Sequence, residues 1–183
     1  SARYGGTEDD KLENLTGNFN LEKWINNNLQ ITNSVYLRQT IAEYDNSATK
    51  EIGYEGDNKM LSTQLKINHL TKNSKKRITF FFNKYNREYD EKGVMDYYDS
   101  NAIGAKYDFS KLFSNKISYG LGSEYRYDDG DFENNGSYSA STKGHYDNLS
   151  FYGNFGLNFL NNSNLSVFLR NDENKVQNLI NQI

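Results

Sequence analysis

A period-two alternation of apolar and polar residues is the feature that most restricts the fold of this sequence. Alternating runs of about ten residues, a length typical of strands that cross a membrane, recur along the chain between polar segments. In one run Ile31, Val35 and Leu37 are separated by polar or aromatic residues such as Thr32 and Tyr36. Successive side chains of a strand point to opposite faces, so each run predicts a strand with one apolar and one polar face. We therefore predict an all-β fold, an antiparallel up-and-down meander of about eight strands.

Polar connections of two lengths separate the predicted strands. Short turns are expected at Ile25–Asn28, Lys72–Lys76, Leu112–Lys116 and Asn161–Asn164. Long loops are expected at Asp45–Asn58, Asp90–Ser100 and Asp128–Lys143. Short and long connections alternate, as in outer-membrane barrels with short periplasmic turns and longer extracellular loops. The pattern predicts a transmembrane β-barrel.

Composition agrees with a barrel and excludes several other classes. The mean hydropathy of -0.90 is low, but 15 Tyr and 11 Phe are far too many for a disordered chain. The net charge of -3 does not indicate a nucleic-acid-binding protein. The absence of Cys excludes a disulfide framework and thiolate metal sites. The chain begins at Ser1 without a leader, and we expect it to be a piece of a longer protein.

The two predicted faces suggest a wet interior and an interfacial rim. Inward-facing charges are expected at Lys66, Lys106, Glu124, Arg126 and Arg170. A packed core would not tolerate them, whereas a water-filled or plugged lumen would. Aromatic girdles are expected from Tyr44, Tyr89, Tyr127 and Tyr146 beside the long loops and from Trp24, Phe113 and Phe159 beside the turns. The run Phe80–Phe82 obscures the phase of the fourth strand, so the sequence does not assign its faces.

Several runs together resemble a known family. They are TEDD at Thr7–Asp10, NLTGNFNLEKWINNNLQITNSVYLRQTIAEYDN, KKRITFFFNKYNREYDEKG, KISYGLGSEYRYDDGD and HYDNLSFYGNFGLNFLNNSNLSVFLRNDEN. The last contains R-x-D-x-N at Arg170, Asp172 and Asn174. In this order the runs resemble the middle of the barrel of TonB-dependent outer-membrane receptors, especially the cobalamin-receptor type. Such receptors hold a plug inside a barrel of about 22 strands, so the resemblance implies that residues 1–175 are a segment of a larger transmembrane barrel. Residues 176–183 are an unassigned tail.

The resemblance also implies a function and partners. It implies TonB-dependent uptake of a scarce, large nutrient, a corrinoid or an iron-siderophore chelate, across the bacterial outer membrane. The partners would be outer-membrane lipid, the small-molecule ligand, and TonB acting through a plug domain that this sequence does not contain. No nucleophile elbow or phosphate loop is present in the sequence, so we expect no enzymatic activity.

Candidate site residues concentrate in the predicted long loops, where function usually lies. The expected ligand contacts are Asp96, Tyr97, Tyr98, Asp99, Asp128, Asp129, Asp131 and Phe132. Aromatic rings among them suit a flat corrin or chelate, and the alternative is a solvated loop that packs on its own backbone. Weak calcium ligands are expected at Glu8, Asp9, Asp10 and Asp45, because carboxylate oxygens are the donors that calcium prefers.

Two other classes of protein fit the same pattern. One is a small, complete eight-stranded outer-membrane barrel with a structural or adhesive role, which requires the first strand to pair with the last. The other is a soluble glycan-binding β-sandwich, which requires a second sheet packed on the first. A wall segment of a larger barrel predicts a single open sheet instead.

Overall fold

The structure, a computed structural model, describes residues 11–46, 51–136, 139–160 and 163–182. Its regular elements are the strands β1 Leu12–Trp24, β2 Leu29–Asn46, β3 Glu51–Leu70, β4 Ser74–Glu91, β5 Val94–Leu112, β6 Ile117–Asn134, β7 Ala140–Leu160 and β8 Ser163–Gln182. The described residues include no helix that is long and apolar enough to cross a membrane. The predicted all-β meander of eight strands is confirmed.

All eight strands form one antiparallel sheet in the order of the sequence. Within the described part of the chain, β1 pairs only with β2 and β8 pairs only with β7. The sheet is therefore open, as a wall segment predicts. A closed eight-stranded cylinder would require pairing between β1 and β8, and a sandwich would require a second sheet that the described residues do not form.

Side chains of polar residues shape the short turns. Asn26 Oδ1 accepts hydrogen bonds of 2.9 Å from the backbone amides of Asn28 and Leu29 between β1 and β2. Ser114 Oγ accepts bonds of 3.2 Å from two amides between β5 and β6. Such local bonds favour turns over continued strand. The predicted turns at Ile25–Asn28 and Leu112–Lys116 are confirmed, whereas the β3–β4 turn lies slightly earlier than predicted, before Ser74.

The three predicted long loops are wrong, because most of their residues belong to strands. The segment Asp45–Asn58 contains the end of β2 and the start of β3, and Asp128–Lys143 contains parts of β6 and β7. Within Asp90–Ser100 the strands are joined only by Lys92 and Gly93, whose φ angles of 54° and 92° fit a two-residue hairpin turn. Backbone hydrogen bonds hold these strand segments together and do not depend on apolar side chains. Their polar composition therefore led to the incorrect prediction of loops.

The C-terminal segment also differs from expectation. The predicted eighth strand covers Leu165–Arg170, with an unassigned tail at 176–183. The backbone of β8 continues in register with β7 as far as the pair Ala140–Gln182. Most of the predicted tail is therefore part of the last strand.

A single register brings the apolar residues of all strands to one face. One row of paired residues passes through Val35, Thr63, Phe82, Ile103 and Tyr127 on β2 to β6. The apolar band, as we name this set, consists of Leu15, Phe19, Leu21, Leu29, Ile31, Val35, Leu37, Ile41, Leu61, Thr63, Leu65, Ile67, Ile78, Phe80, Phe82, Ile103, Ala105, Tyr107, Phe109, Ile117, Tyr119, Leu121, Tyr125, Tyr127, Leu149, Phe151, Phe155, Leu157, Leu165, Val167 and Leu169. The opposite surface is the polar face.

The register also assigns the faces of β4, which the sequence left open. Phe80 pairs with Ala105 and lies on the apolar band, whereas Phe81 pairs with Gly104 on the polar face. A Cβ atom at Gly104 would collide with the Phe81 ring and with the backbone carbonyl oxygen of Tyr125. The missing side chain of Gly104 therefore makes room for Phe81, the second phenylalanine of the run.

The two faces differ sharply in exposure. On the apolar band Leu121 is 60% exposed and Phe151 is 55% exposed. The buried polar residues lie on the polar face: Asn68, Thr79, Asn148 and Ser150. Side chains therefore crowd on the polar face and spread apart on the apolar one, as expected for a sheet that curls towards its polar face.

The predicted aromatic girdle is only partly correct. Tyr127 lies on the apolar face, but the register places Tyr89 and Tyr146 on the polar face. At the turn end Phe113 is 69% exposed, whereas Trp24 pairs with Gln30 in the register of the polar face. The side chain of Tyr44 lies outside the described residues. The sequence correctly placed these aromatic residues near the strand ends, but it did not predict which side of the sheet they face. A shift of one residue along a strand moves a side chain to the other face.

The apolar band drifts across the hydrogen-bonded rows. Val35 lies at the centre of the band on β2. The row of paired residues that contains Val35 reaches β8 at Lys175. The centre of the band on β8 is Val167, eight residues earlier in the sequence. Strand and band are therefore inclined to one another throughout the sheet.

Candidate ligand cleft on the polar face

The strands extend well beyond the apolar band at the end of the sheet that carries the β4–β5 hairpin. On the polar face of these extensions the register places Arg87 opposite Tyr98, Tyr89 opposite Asp96, and Tyr98 opposite Phe132. Together with Tyr85 these residues line a cleft of about 450 Å³, with Tyr97 at its edge. We name it the aromatic cleft.

Contacts between the rings fix the floor of the aromatic cleft. The Tyr85 and Tyr98 rings meet edge to face, with centroids 5.8 Å apart at an angle of 61°. The Tyr85 hydroxyl donates a hydrogen bond of 2.8 Å to Asn58 Oδ1 on β3. Tyr98 and Phe132 keep 39% and 40% of their surface exposed, so ring faces are available to a ligand.

Arg87 supplies a positive charge beside these rings. Its Cζ atom lies 5.4 Å from the centroid of the Tyr89 ring, a cation–π distance. No acidic side chain of the described residues forms an ion pair with Arg87. The nearby Asp96 carboxylate instead accepts hydrogen bonds of 2.9 Å from Asn134 Nδ2 and 3.1 Å from the Asn135 amide. The cleft thus complements a ligand with a flat conjugated surface and an anionic group.

A second cleft of about 500 Å³ continues from the first, since Tyr98 and Phe132 line both. Arg126 and Asp128 lie in this second cleft and bond to each other in a bidentate arrangement, at 2.6 Å and 2.7 Å. The charge of Arg126 is therefore satisfied by Asp128, whereas Arg87 has no acidic partner among the described residues.

The structure divides the predicted ligand contacts between the two faces. Asp96, Tyr98, Asp128 and Phe132 come together on the polar face and line the clefts. The others belong to the opposite register, because alternate residues of a strand face opposite ways. They are Tyr97, Asp99, Asp129 and Asp131. Of these, Tyr97 still contributes to the lining of the aromatic cleft and Asp129 to that of the second cleft. These residues lie on strands β5 and β6, so their predicted loop location is wrong.

The acidic residues of the opposite face have partners of their own. Asp99 accepts a hydrogen bond from Asn86, and Asp129 accepts one of 3.3 Å from Asn101 Nδ2. Lys143 Nζ lies 2.5 Å from Asp131 Oδ2, and this hydrogen bond raises the pKa of Lys143 above its ordinary value. These pairs lie on the face of the hairpins opposite the floor of the aromatic cleft, and of these residues Asp129 also contributes to the lining of the second cleft.

Sequence reasoning missed Tyr85, Arg87, Tyr89, Arg126 and Tyr146 as residues of the clefts. The signal was the two-residue spacing Y-x-R-x-Y at 85–89, which places all three side chains on one face of a strand. It could not be used because the adjacent Phe80–Phe82 run hid the phase of β4.

The calcium prediction is not tested. Glu8, Asp9 and Asp10 lie outside the described residues, and Asp45 lies on β2, where only its backbone is described. In the part of the chain that the structure describes, no three His, Asp or Glu side chains are grouped so as to hold a metal ion.

The R-x-D-x-N motif forms a polar network between β7 and β8. Arg170 Nη2 donates to Ser150 Oγ at 2.8 Å, and Arg170 Nε donates to the Asp172 carboxylate at 2.9 Å. Ser150 Oγ donates to Asp172 Oδ1 at 2.5 Å. Asn174 Oδ1 accepts hydrogen bonds from the Asn148 amide group and from the Tyr146 hydroxyl. The motif thus ties the last strand to the sheet on the polar face.

The fold and clefts define an all-β protein made of one open sheet, with an exposed apolar face and a polar face that carries aromatic-lined clefts. No protein-family model, curated protein or solved structure matches the chain. Its function is therefore argued from the two faces.

Proposed function

We propose that this chain is a wall segment of a transmembrane β-barrel in the bacterial outer membrane. The observation that carries the proposal is the continuous apolar band, which has exposed side chains on seven strands and half-buried ones on β3. Soluble monomers rarely expose apolar patches larger than a few hundred Å². Lipid acyl chains are the environment in which such a face is stable on a single sheet.

The drift of the apolar band supports this proposal quantitatively. The offset of eight residues between Val167 and Lys175 accumulates over the six steps from β2 to β8. At about 3.3 Å per residue and about 4.8 Å between strands, this offset gives an angle of about 40° between the strands and the line perpendicular to the long axis of the band. Strands of outer-membrane barrels tilt by about 35–45°.

The height of the band fits a bilayer as well. On β6 the band runs from Ile117 to Tyr127. This length corresponds to about 33 Å of strand and, at a tilt of about 40°, to about 25 Å along the membrane normal. The apolar belt of outer-membrane barrels is about 25 Å tall.

The polar face suits the interior of a barrel. Lys106 and Asp108 lie 3.7 Å apart, and Arg126 and Arg170 each pair with an acidic residue two positions along the same strand. These charges face away from the apolar band. A hydrated or plugged lumen accommodates them, whereas lipid would not.

The uptake function rests on the aromatic cleft and on the family resemblance described above. The cleft would lie on the lumen side of hairpins that extend beyond the membrane. Arg87 and the exposed rings of Tyr98 and Phe132 suit a large, flat, anionic ligand such as a corrinoid or an iron-siderophore chelate. Transport driven by TonB would act through a plug domain encoded elsewhere in the protein.

Two experiments on the protein that contains this chain test the membrane wall. Its coding sequence is read on both sides of the segment, where the proposal expects an upstream plug and further strands downstream. Single cysteines are then introduced into the chain, which has none of its own. In native membranes, Leu121→Cys and Phe151→Cys should resist a water-soluble maleimide until detergent is added. Cysteine at exposed Asp131 should react at once, and equal labelling of all three would contradict the proposal.

A binding measurement tests the uptake function separately. The purified protein is titrated with cyanocobalamin and with ferric hydroxamate and catecholate chelates. We expect one class to bind, and Arg87→Gln and Tyr98→Ala to weaken that binding while Lys59→Gln does not. If none of the three binds, the uptake function is withdrawn although the membrane wall is unaffected.

A further inference from the structure

Lysine residues without acidic partners collect at the turn end of the sheet. They are Lys72, Lys75, Lys76, Lys111 and Lys116. None of them forms an ion pair with a described acidic side chain. At the opposite end two lysines have acidic partners: Lys59 lies 2.8 Å from Asp57, and Lys143 lies 2.5 Å from Asp131. The turn end therefore carries positive charge that the described part of the protein does not neutralise.

Two of these lysines lie on the same face as the apolar band. Lys76 pairs with His69 on β3 and with Phe109 on β5, and Lys111 pairs with Ser74 and Tyr119. Lys76 and Lys111 are thus diagonal neighbours across the β4–β5 ladder, a relation that places their Cβ atoms about 7–8 Å apart. Both side chains are exposed. Like charges on neighbouring side chains repel one another, and an anion that lies between them offsets this repulsion.

Lys76 and Lys111 border the apolar band at the turn end of the sheet. Lys76 is two residues from Ile78, and Lys111 is two residues from Phe109, so each follows the band directly on its own face. Between the band and the turns, no described acidic side chain lies on this face. Along β4 and β5 the order on this face is therefore apolar side chains followed by lysine, with the Tyr119 ring of β6 beside Lys111.

We propose that His69, Lys76 and Lys111, together the lysine border, bind the phosphate groups of anionic phospholipids. The inference rests on the proposed membrane location of the apolar band. The phosphate lies between the Lys76 and Lys111 ammonium groups, and the acyl chains follow Ile78 and Phe109. A lipid is the preferred occupant over free phosphate, because only a lipid also covers the adjoining apolar side chains.

The test compares two double variants of the detergent-purified protein that contains this chain. Lys76→Gln/Lys111→Gln removes both lysines of the lysine border and leaves His69 in place. Lys59→Gln/Lys143→Gln removes the same charge at the other end of the sheet and serves as the matched control. Each protein is titrated with phosphatidylglycerol or phosphatidylcholine, and native mass spectrometry measures the fraction that retains lipid.

We expect the unmodified protein and the control to prefer phosphatidylglycerol. The border variant should lose about thirtyfold in that preference, as expected for two lysines near an anionic surface. An unchanged preference overturns the lysine border while leaving the membrane location intact. Competition by inorganic phosphate at equal concentration overturns the lipid as occupant. Failure to retain either lipid, with the apolar face open to water-soluble labels, contradicts the proposed function itself.

Discussion

The Ser150 hydroxyl on β7 donates a hydrogen bond of 2.5 Å to the Asp172 carboxylate on β8. Ser150 is fully buried, and it accepts a second bond from Arg170 Nη2 at 2.8 Å. A serine hydroxyl has one proton to donate and can accept at the same time. It therefore connects the acid and the base of the R-x-D-x-N motif across the two strands.

Replacement of Ser150 by alanine should weaken the attachment of β8. Asp172 loses a buried donor and Arg170 loses an acceptor, so we expect the free energy of unfolding to fall by about 1–3 kcal/mol. Denaturant titration of the protein in lipid vesicles measures the change. Ser166→Ala is the control, because Ser166 is an exposed serine on the neighbouring strand β8. Equal effects of the two substitutions would contradict a specific role for Ser150.

Gly122 gives a second prediction, since it makes room for the Tyr152 ring. A Cβ atom at position 122 would collide with that ring. The Tyr152 hydroxyl donates to Asp108 at 2.6 Å, so the ring is not free to move away. We expect Gly122→Ala to cost about 1–3 kcal/mol of unfolding free energy, as overpacking does.

Gly17→Ala is the matched control for Gly122→Ala. The nearest atom to a new Cβ at Gly17 is Leu37 Cβ at 3.9 Å, an ordinary contact. This substitution should therefore leave stability nearly unchanged. In a protein that already carries Tyr152→Ser, Gly122→Ala should cost much less unfolding free energy. An undiminished cost in that protein would show that the Tyr152 ring does not cause the loss.

The sequence predicted the strands well where apolar and polar residues alternate strictly. It failed on β4, because three consecutive phenylalanines satisfy either phase, and only pairing with Gly104 shows that Phe81 faces the polar side. It also failed on the hairpin extensions, where Asp96–Asp99 resembles a loop. Those residues are strand because backbone hydrogen bonds pair them with β4 and β6, and composition carries no record of such bonds.

The candidate site was predictable only in part for the same reason. Asp96 and Tyr98 were identified from sequence, but their neighbours Tyr85 and Arg87 come from β4, whose phase was hidden. Membership of one cleft depends on the register between strands. A contiguous run such as Asp128–Phe132 therefore contributes to both faces, and sequence proximity groups residues that the sheet separates.

A charged substitution on the apolar band should show the depth dependence of a membrane face. Leu121 is central on β6, and Ile117 lies at the edge of the band. In lipid vesicles Leu121→Arg should cost about 2–4 kcal/mol of folding free energy and Ile117→Arg about 0–1 kcal/mol. Equal costs at the two positions would argue that the band does not lie in a bilayer.

The Lys143–Asp131 pair should contribute little to stability despite its short distance. Both side chains are well exposed, so water screens their attraction. We expect Lys143→Gln to change the free energy of unfolding by less than about 1 kcal/mol. The same denaturant titration checks this value, and a loss of several kcal/mol would mean that the pair is shielded from solvent by another part of the protein.

The inclination of the apolar band has a consequence for how the strands find their partners. A slip of two residues between β5 and β6 leaves every side chain on its original face. It would nevertheless move Asp129 to the level of Ile103, which Tyr127 occupies in the native register. If the proposed membrane location holds, that error would carry a carboxylate into hydrocarbon, and the thickness of the bilayer would then select one alignment among several that have equivalent faces.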